Sequence, residues 1–248
     1  MRKTILITGA SSGLGAGLAR VYAAAGRHLA LCARRTERLE ALRHELLDQH
    51  PNCRISIRSL DVNDHEQVFA VFNAFREEFG SLDRVIVNAG VATGRRVGTG
   101  HFADNLKTAE TNFIAALAQC EAAVEIFRQQ NHGHLVAISS MSAMRGLPRH
   151  LTVYAASKAG LAALAEGIRA ELLNTPIRVS TLFPGYIRTE LNADAPKMLF
   201  EVDAETGVRA LFKAIEKEPD QACVPAWPWT AMGFFMRRLP LKTIARMS

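Results

Sequence analysis

Thr4-Ile5-Leu6-Ile7-Thr8-Gly9-Ala10-Ser11-Ser12-Gly13-Leu14-Gly15 opens the chain with a β-branched, apolar run that breaks into a glycine-rich turn. A run of this kind reads as a buried strand. The glycines that follow permit a tight turn and a close backbone approach, and residues 14–25 then show a helical period. A helix that starts directly after such a loop presents unpaired N–H groups and the positive end of its dipole, which suits pyrophosphate. Three glycines beside a strand could be a structural turn and nothing more. Their place between a strand and a helix favours a dinucleotide cradle made of Gly9, Ser11, Ser12, Gly13, Leu14 and Gly15.

Outward from that stretch the same alternation repeats. Short apolar runs at 4–8, 28–33, 53–60, 84–88, 134–139, 177–183 and 221–225 predict strands. Segments 14–25, 36–49, 64–79, 104–130, 151–173 and 203–218 predict helices, and Pro51, Pro176 and Pro219 each stand just past one. Strand–helix alternation without a linker implies one doubly wound α/β domain, with seven mostly parallel strands and helices on both faces. Ligands in such sheets bind beyond the carboxyl ends of the strands, so the long connections 91–103 and 185–202 are placed to shape a pocket.

Composition bounds the rest. The 248 residues are 48% hydrophobic and 22% charged, ample for one core. Cys32, Cys53, Cys120 and Cys223 are scattered without metal-ligand spacing, as expected of buried thiols in a reducing compartment. The opening charge-then-apolar stretch stops at Gly9, too short for a signal peptide, and no segment has the length of a membrane span. The expected location is the cytoplasm. Net charge is +6, but the basic residues are dispersed and no basic–aromatic module appears, which argues against nucleic acid as a partner.

A second motif carries chemistry. In Tyr154-Ala155-Ala156-Ser157-Lys158 the tyrosine and lysine are four apart, so on a helix they share a face. A free tyrosine, with a pKa of about 10, is a weak acid/base at neutral pH. A neighbouring ammonium would favour the phenolate and bring that value down. Ser139-Ser140 at the end of the fifth predicted strand offers a hydroxyl to orient a substrate oxygen.

Taken in order, Thr8–Gly15, Asp61-Val62, Asn88-Ala89-Gly90, Asn112, Ser139-Ser140, Tyr154-x-x-x-Lys158 and Pro184-Gly185 resemble the short-chain dehydrogenase/reductase family, in its branch of about this length, over nearly the whole chain. The resemblance implies a Rossmann-type domain and hydride transfer between a nicotinamide and a carbonyl or secondary alcohol. It implies that Asp61 and Val62 hold the adenine and that Asn88, Ala89 and Gly90 flank the ribose. Pro184, Gly185, Ile187 and Thr189 would line the nicotinamide side. Tyr154 would exchange the proton, and Lys158 would also bond the nicotinamide ribose. Ser140 would orient the substrate oxygen, and Asn112 would help hold a water that links Lys158 to solvent. The interval from Ser140 to Tyr154 is one residue longer than is usual in the family, so Ser139 and Ser142 stay as alternatives. A non-redox enzyme on the same fold, an epimerase or dehydratase, and a cofactor-sensing protein are the rival readings.

At the end of the second strand the chain reads Cys32-Ala33-Arg34-Arg35. An acidic residue there would suit NAD, whereas guanidiniums suit the 2′-phosphate of NADP. NADP is therefore expected over NAD, with Arg34 as the main reader and Arg35 beside it. Tyr186, Ile187, Leu191, Met198, Leu199 and Phe200 make the connection 185–202 apolar, either as a lid over an apolar substrate or as ordinary packing. Met144, Leu147 and His150 are expected to line another wall, and Arg95, Arg96, Arg145 and Arg149 could meet an anionic tail. Alanine-rich surfaces on segments 104–130 and 151–173 suggest helix packing across a two-fold, and family members often dimerise there, so a homodimer or homotetramer is expected. The extension 227–248 mixes Trp227, Trp229, Phe234 and Phe235 with Arg237, Arg238, Lys242 and Arg246. Covering the pocket or a neighbouring subunit is favoured for it over peripheral membrane contact.

Overall fold

The computed structural model describes residues 2–192 and 198–247. Seven strands, β1 (Thr4–Thr8), β2 (His28–Ala33), β3 (Ile55–Ser59), β4 (Arg84–Val87), β5 (Gly133–Ile138), β6 (Ile177–Pro184) and β7 (Gln221–Val224), form one sheet. Its order is β3-β2-β1-β4-β5-β6-β7, and every pairing in it is parallel. The chain runs outward from β1 through β3, then returns to β4 on the other side of β1. This reversal opens a crevice at the strand carboxyl ends between β1 and β4.

Helices cover both faces, as continuous burial of the central strands requires. α1 (Gly13–Ala24), α2 (Thr36–Gln49) and α7 (Ala204–Glu216) pack on one side, where Leu18, Tyr22, Leu39, Leu46 and Leu211 join Ile5 and Ile7. On the other, α3 (His65–Phe79), α5 (Ala115–Gln130) and α6 (Leu151–Glu171) bring Phe72, Phe75, Phe127 and Leu161 against Leu6 and Val85. Asp64 and Asp203 cap α3 and α7 by accepting from the backbone N–H groups of Gln67 and Thr206.

The predicted element ends agree with the structure to within two residues, with one exception. Segment 104–130 is not one α-helix. It divides into α4 (Phe102–Ala109), a π-helical turn (Glu110–Ile114) and α5. Two short 3₁₀ turns, Met141–Met144 and Glu190–Asn192, also carry no periodic signal. The carboxyl-terminal segment folds as α8 (Ala226–Met236) and α9 (Leu241–Met247), with Pro240 between them.

Candidate active site

The glycine loop takes its shape from two constraints. Gly9 and Gly13 have φ of +65° and +54°, a region that side chains disfavour. Gly15 sits where a Cβ would collide with the Gly9 carbonyl, so α1 can start this close to the sheet only with glycine there. Gly15 does not line the cleft, and its observed part is this close packing. Thr8 ties the loop to the next strand: its Oγ1 accepts from the N–H groups of Asn88 and Ala89 at 3.0 and 3.1 Å. The Asn88 side chain donates to the Thr8 carbonyl at 2.9 Å. At the start of α1, Ser12 makes no side-chain cap and the first turn has no acidic residue, which leaves the positive helix end for an anion.

These strand ends surround one cleft of about 510 Å³. Every residue expected to bind the cofactor or take part in catalysis lines it except Gly15 and Asn112. Tyr154 and Lys158 face it from the first two turns of α6, with Ser140 opposite, between β5 and the following 3₁₀ turn. The Ser140 hydroxyl accepts from the Ser142 N–H at 3.1 Å and lies near enough to the Tyr154 phenol to favour its phenolate. Ser139 is occupied otherwise, donating to the Lys158 carbonyl at 2.8 Å, which staples β5 to α6. Of the three candidate serines, Ser140 is the one that acts on the Tyr154 phenol.

Lys158 is buried, and its Nζ donates to the Ile138 carbonyl oxygen at 2.9 Å. Burial brings its pKa from 10.5 down to about 8. The Tyr154 phenol is pushed up by burial, with the Ser140 hydrogen bond opposing. The expectation that the ammonium lowers the tyrosine therefore needs correction here. Ser140 makes the contact that favours the phenolate, while the ammonium is turned to the strand end.

Asn112 lies in the π-helical turn, fully buried. Its Oδ1 accepts from the Val91 N–H at 2.8 Å, and its Nδ2 donates to the Val91 carbonyl at 2.9 Å and to Ser157 Oγ at 3.4 Å. The side chain thus fixes the Val91 backbone to α6. A Cβ on Gly90 would stand 3.1 Å from Asn112 Oδ1 and 3.5 Å from Lys158 Nζ, so both atoms flank the same small space.

The two guanidiniums take different positions at the cleft. Arg35 reaches the glycine loop, donating to Ser12 Oγ at 2.6 Å and Ser11 Oγ at 3.3 Å. Arg34 is more exposed and stands 4.0 Å from Asp61. Glu190 lies 3.6 Å from Arg35 and accepts from Arg38 at 2.8 Å. Sequence reading missed Glu190, along with Asn63, Thr111, Leu151 and Asn192, all on the cleft wall. None stands in a motif, and only the fold brings them together.

Met144, Leu147 and His150 do not line the cleft. Arg145 instead donates to the carbonyls of Met236 and Arg237, and Arg95 faces Asp104. In the connection 185–202, Ile187 is buried and Tyr186 meets Trp229 edge-on, while Leu199 and Phe200 are exposed. Residues 193–197 and the Leu191 side chain lie outside the described residues. Trp229 is buried against Gly185, where a Cβ would strike its ring, so α8 seals the β6 end of the cleft. Among the described residues no group of side chains could hold a metal ion, and no helix is long and apolar enough to cross a membrane.

Comparison with known proteins agrees with this arrangement. An uncharacterized oxidoreductase of Mycobacterium tuberculosis is 51% identical, the match covering 100% of this chain and 98% of that protein. A short-chain dehydrogenase from Sphingobium yanoikuyae, solved in complex with NADPH, superposes with a TM-score of 0.82 at 27% identity, over 96% of this chain and 97% of that one. An alcohol dehydrogenase from Thermococcus sibiricus, complexed with 5-hydroxy-NADP, has a TM-score of 0.79 at 25% identity, over 89% and 95%. The short chain dehydrogenase family matches residues 3–199. With sheet order, glycine loop and relatives in agreement, this chain belongs to the short-chain dehydrogenase/reductase family of oxidoreductases.

Proposed function

We propose that the protein is an NADP(H)-dependent oxidoreductase acting on a carbonyl or secondary alcohol, with Tyr154 as the proton-exchanging group. One observation carries this reading: the Tyr154 phenol, with Ser140 opposite, and a buried ammonium one helical turn away share a cleft with the glycine loop. The cradle fits a dinucleotide, because its positive-φ glycines, uncapped helix start and Arg35 leave donors and positive charge for phosphates. When bound, the nicotinamide supplies hydride chemistry. The protein's share is orientation and proton movement.

In the direction of reduction, Ser140 and Tyr154 donate hydrogen bonds to the carbonyl oxygen, and Tyr154 passes its proton to the developing alkoxide. The raised Tyr154 pKa keeps the phenol protonated at neutral pH, as an acid requires. Lys158 reaches the ribose hydroxyls and, through the space beside Gly90, a water held by Asn112 that returns the proton. Gly9, Ser11, Ser12, Gly13 and Leu14 hold the pyrophosphate. Asp61 and Val62 hold the adenine, and Asn88, Ala89 and Gly90 the ribose. Pro184, Gly185, Ile187 and Thr189 border the nicotinamide amide. Arg34, with Arg35 anchoring the loop beside it, meets the 2′-phosphate. The substrate is proposed to be apolar, given Leu151 and Tyr186 on the wall. Exposed Phe102, Leu106 and Ile114 on α4 and the π turn support a homodimer or homotetramer.

Tyr154→Phe tests the reading. Turnover of any carbonyl or alcohol found by following NADPH absorbance should fall by at least about 100-fold. NADPH affinity should stay within about two-fold, since the ring remains in place. Near-normal turnover in this variant would remove Tyr154 from the mechanism. Cofactor binding without redox turnover across a broad panel would favour the sensing or non-redox readings.

A further inference from the structure

α8 and α9 present two unlike faces. Inward, Trp229 is buried with Met141 and Phe183, and Ile244 is buried as well. Outward, Trp227, Phe234, Phe235 and Leu241 are 80, 54, 60 and 68% exposed. The inner face already seats the helices, so folding alone does not call for large rings outside. Isolated exposed apolar residues are ordinary; four in so short a segment are not.

The charge around them has one sign. From Gln221 to the end of the sequence there is no acidic residue. Arg237, Arg238 and Lys242 are exposed, and among the described residues no carboxylate pairs with them. The Arg238 guanidinium lies 3.7 Å over the Phe234 ring, which sets cation and aromatic face at one level. A second copy of this chain seated here would bring the same cations against themselves across a two-fold axis, which is repulsive. Rings flanked by arginines that no carboxylate neutralises match the headgroup level of a bilayer, where the aromatics sit at the boundary and the cations meet anionic lipid. We propose that the outer face of α8 and α9 is a peripheral docking surface for an anionic lipid bilayer. The helices lie on the surface rather than span it, since α8 has 11 residues and α9 has 7. This proposal stands apart from the catalytic reading, and its test requires no substrate.

The experiment is vesicle co-sedimentation of the full chain. Vesicles of phosphatidylcholine with phosphatidylglycerol are compared with phosphatidylcholine alone, over a range of salt. Two variants accompany it: Trp227→Ser with Phe235→Ser, and Arg237→Gln with Arg238→Gln. All four positions are exposed, and melting curves together with NADPH binding verify that each variant is folded. The unaltered protein should sediment with the anionic vesicles and release as salt rises. Each arginine removed should weaken binding about five-fold. The ring variant should lose binding even at low salt. Failure to bind anionic vesicles would overturn the proposal, as would binding that both variants leave unchanged. It would also fall if the variants changed particle mass in light scattering while vesicle binding stayed the same, for that would identify a second copy as the occupant.

Discussion

Lys158 shows at a single residue how this site departs from what stability alone would select. An ammonium that burial has brought to a pKa of about 8 destabilises the fold wherever the unfolded chain would hold the proton more tightly. The folded value lies below the ordinary 10.5, so the destabilisation is fully present below pH 8 and fades as the pH rises towards 10.5. Lys158→Met removes this dependence together with the bond to the Ile138 carbonyl. Melting curves of variant and wild type should therefore shift in favour of the wild type between pH 8 and 10.5, by on the order of a few kcal/mol. A gap that stays constant over that range would mean the amine is not buried as described. Glu190 supplies a second residue-scale prediction. It lies on the cleft wall against Arg35 and Arg38, and its charge opposes the 2′-phosphate that Arg34 is proposed to meet. Glu190→Gln should tighten NADPH by about two- to five-fold and leave NADH nearly unchanged. Equal tightening of both cofactors would show that the carboxylate acts on something other than the 2′-phosphate. Arg34→Asp should do the reverse, weakening NADPH and improving NADH by charge alone.

Among the elements, the π-helical turn at Glu110–Ile114 is the most informative. An α-helix widened by one residue is usually held open by a demand elsewhere, and here that demand is Asn112 clasping both backbone groups of Val91. Asn112→Ala leaves the Val91 N–H and carbonyl without these partners in a partly buried place. It should cost about 1–3 kcal/mol and lower kcat while KM for substrate changes little, as measured by melting and steady-state kinetics. A fall in stability with kcat intact would confine Asn112 to the fold. The same turn marks the limit of what the sequence discloses. Strands such as Thr4–Thr8 and His28–Ala33 agree to the residue because their apolar runs have one way to be buried in a parallel sheet. Tyr154, Lys158 and the glycine loop are legible for a related reason: helix period and the turn fix their neighbours locally. Periodicity does not register a π turn, whose cause lies at Val91, far along the chain. Nor does it reveal that Arg35 rather than Arg34 grips Ser11 and Ser12, or that Trp229 closes over Gly185, since those contacts arise only when strands and helices assemble. The carboxyl-terminal segment, readable in sequence as basic and aromatic, proves to have one buried ring, Trp229, and three exposed ones, Trp227, Phe234 and Phe235, a division set by tertiary packing.

Across the whole molecule, the two ends of the sheet do opposite work. Every strand carboxyl end in the centre leads to the cleft, while the amino ends converge on Arg84, fully buried at the start of β4. Arg84 donates to His134 Nδ1 at 2.8 Å, to the Tyr22 hydroxyl at 3.0 Å, to Glu216, and to Glu218 at 3.3 Å. His134, its pKa lowered to about 3 by burial and by Arg84, stays neutral and shares a hydrogen bond with Ser180 at 2.8 Å. Strands β4, β5 and β6, helix α1 and the end of α7 are thus joined through one guanidinium. Burial opposes the charge on Glu218, yet the hydrogen bonds from Arg2 and the nearby charges outweigh it and hold the carboxyl at about 2. A folded value below the ordinary 4.5 means stability that is present above pH 4.5 and lost as the pH falls towards 2. Glu218→Gln should therefore destabilise the protein at pH 7 by about 1–3 kcal/mol, and its deficit against wild type should close between pH 4.5 and 2. Because this network lies at the amino ends of the strands and the cleft at the carboxyl ends, kcat at pH 7 should be unchanged. Melting curves at several pH values, paired with turnover at pH 7, decide it. A deficit independent of pH would deny the carboxylate its ionic role, and a loss of turnover in folded protein would mean the two ends are coupled through the sheet rather than separate.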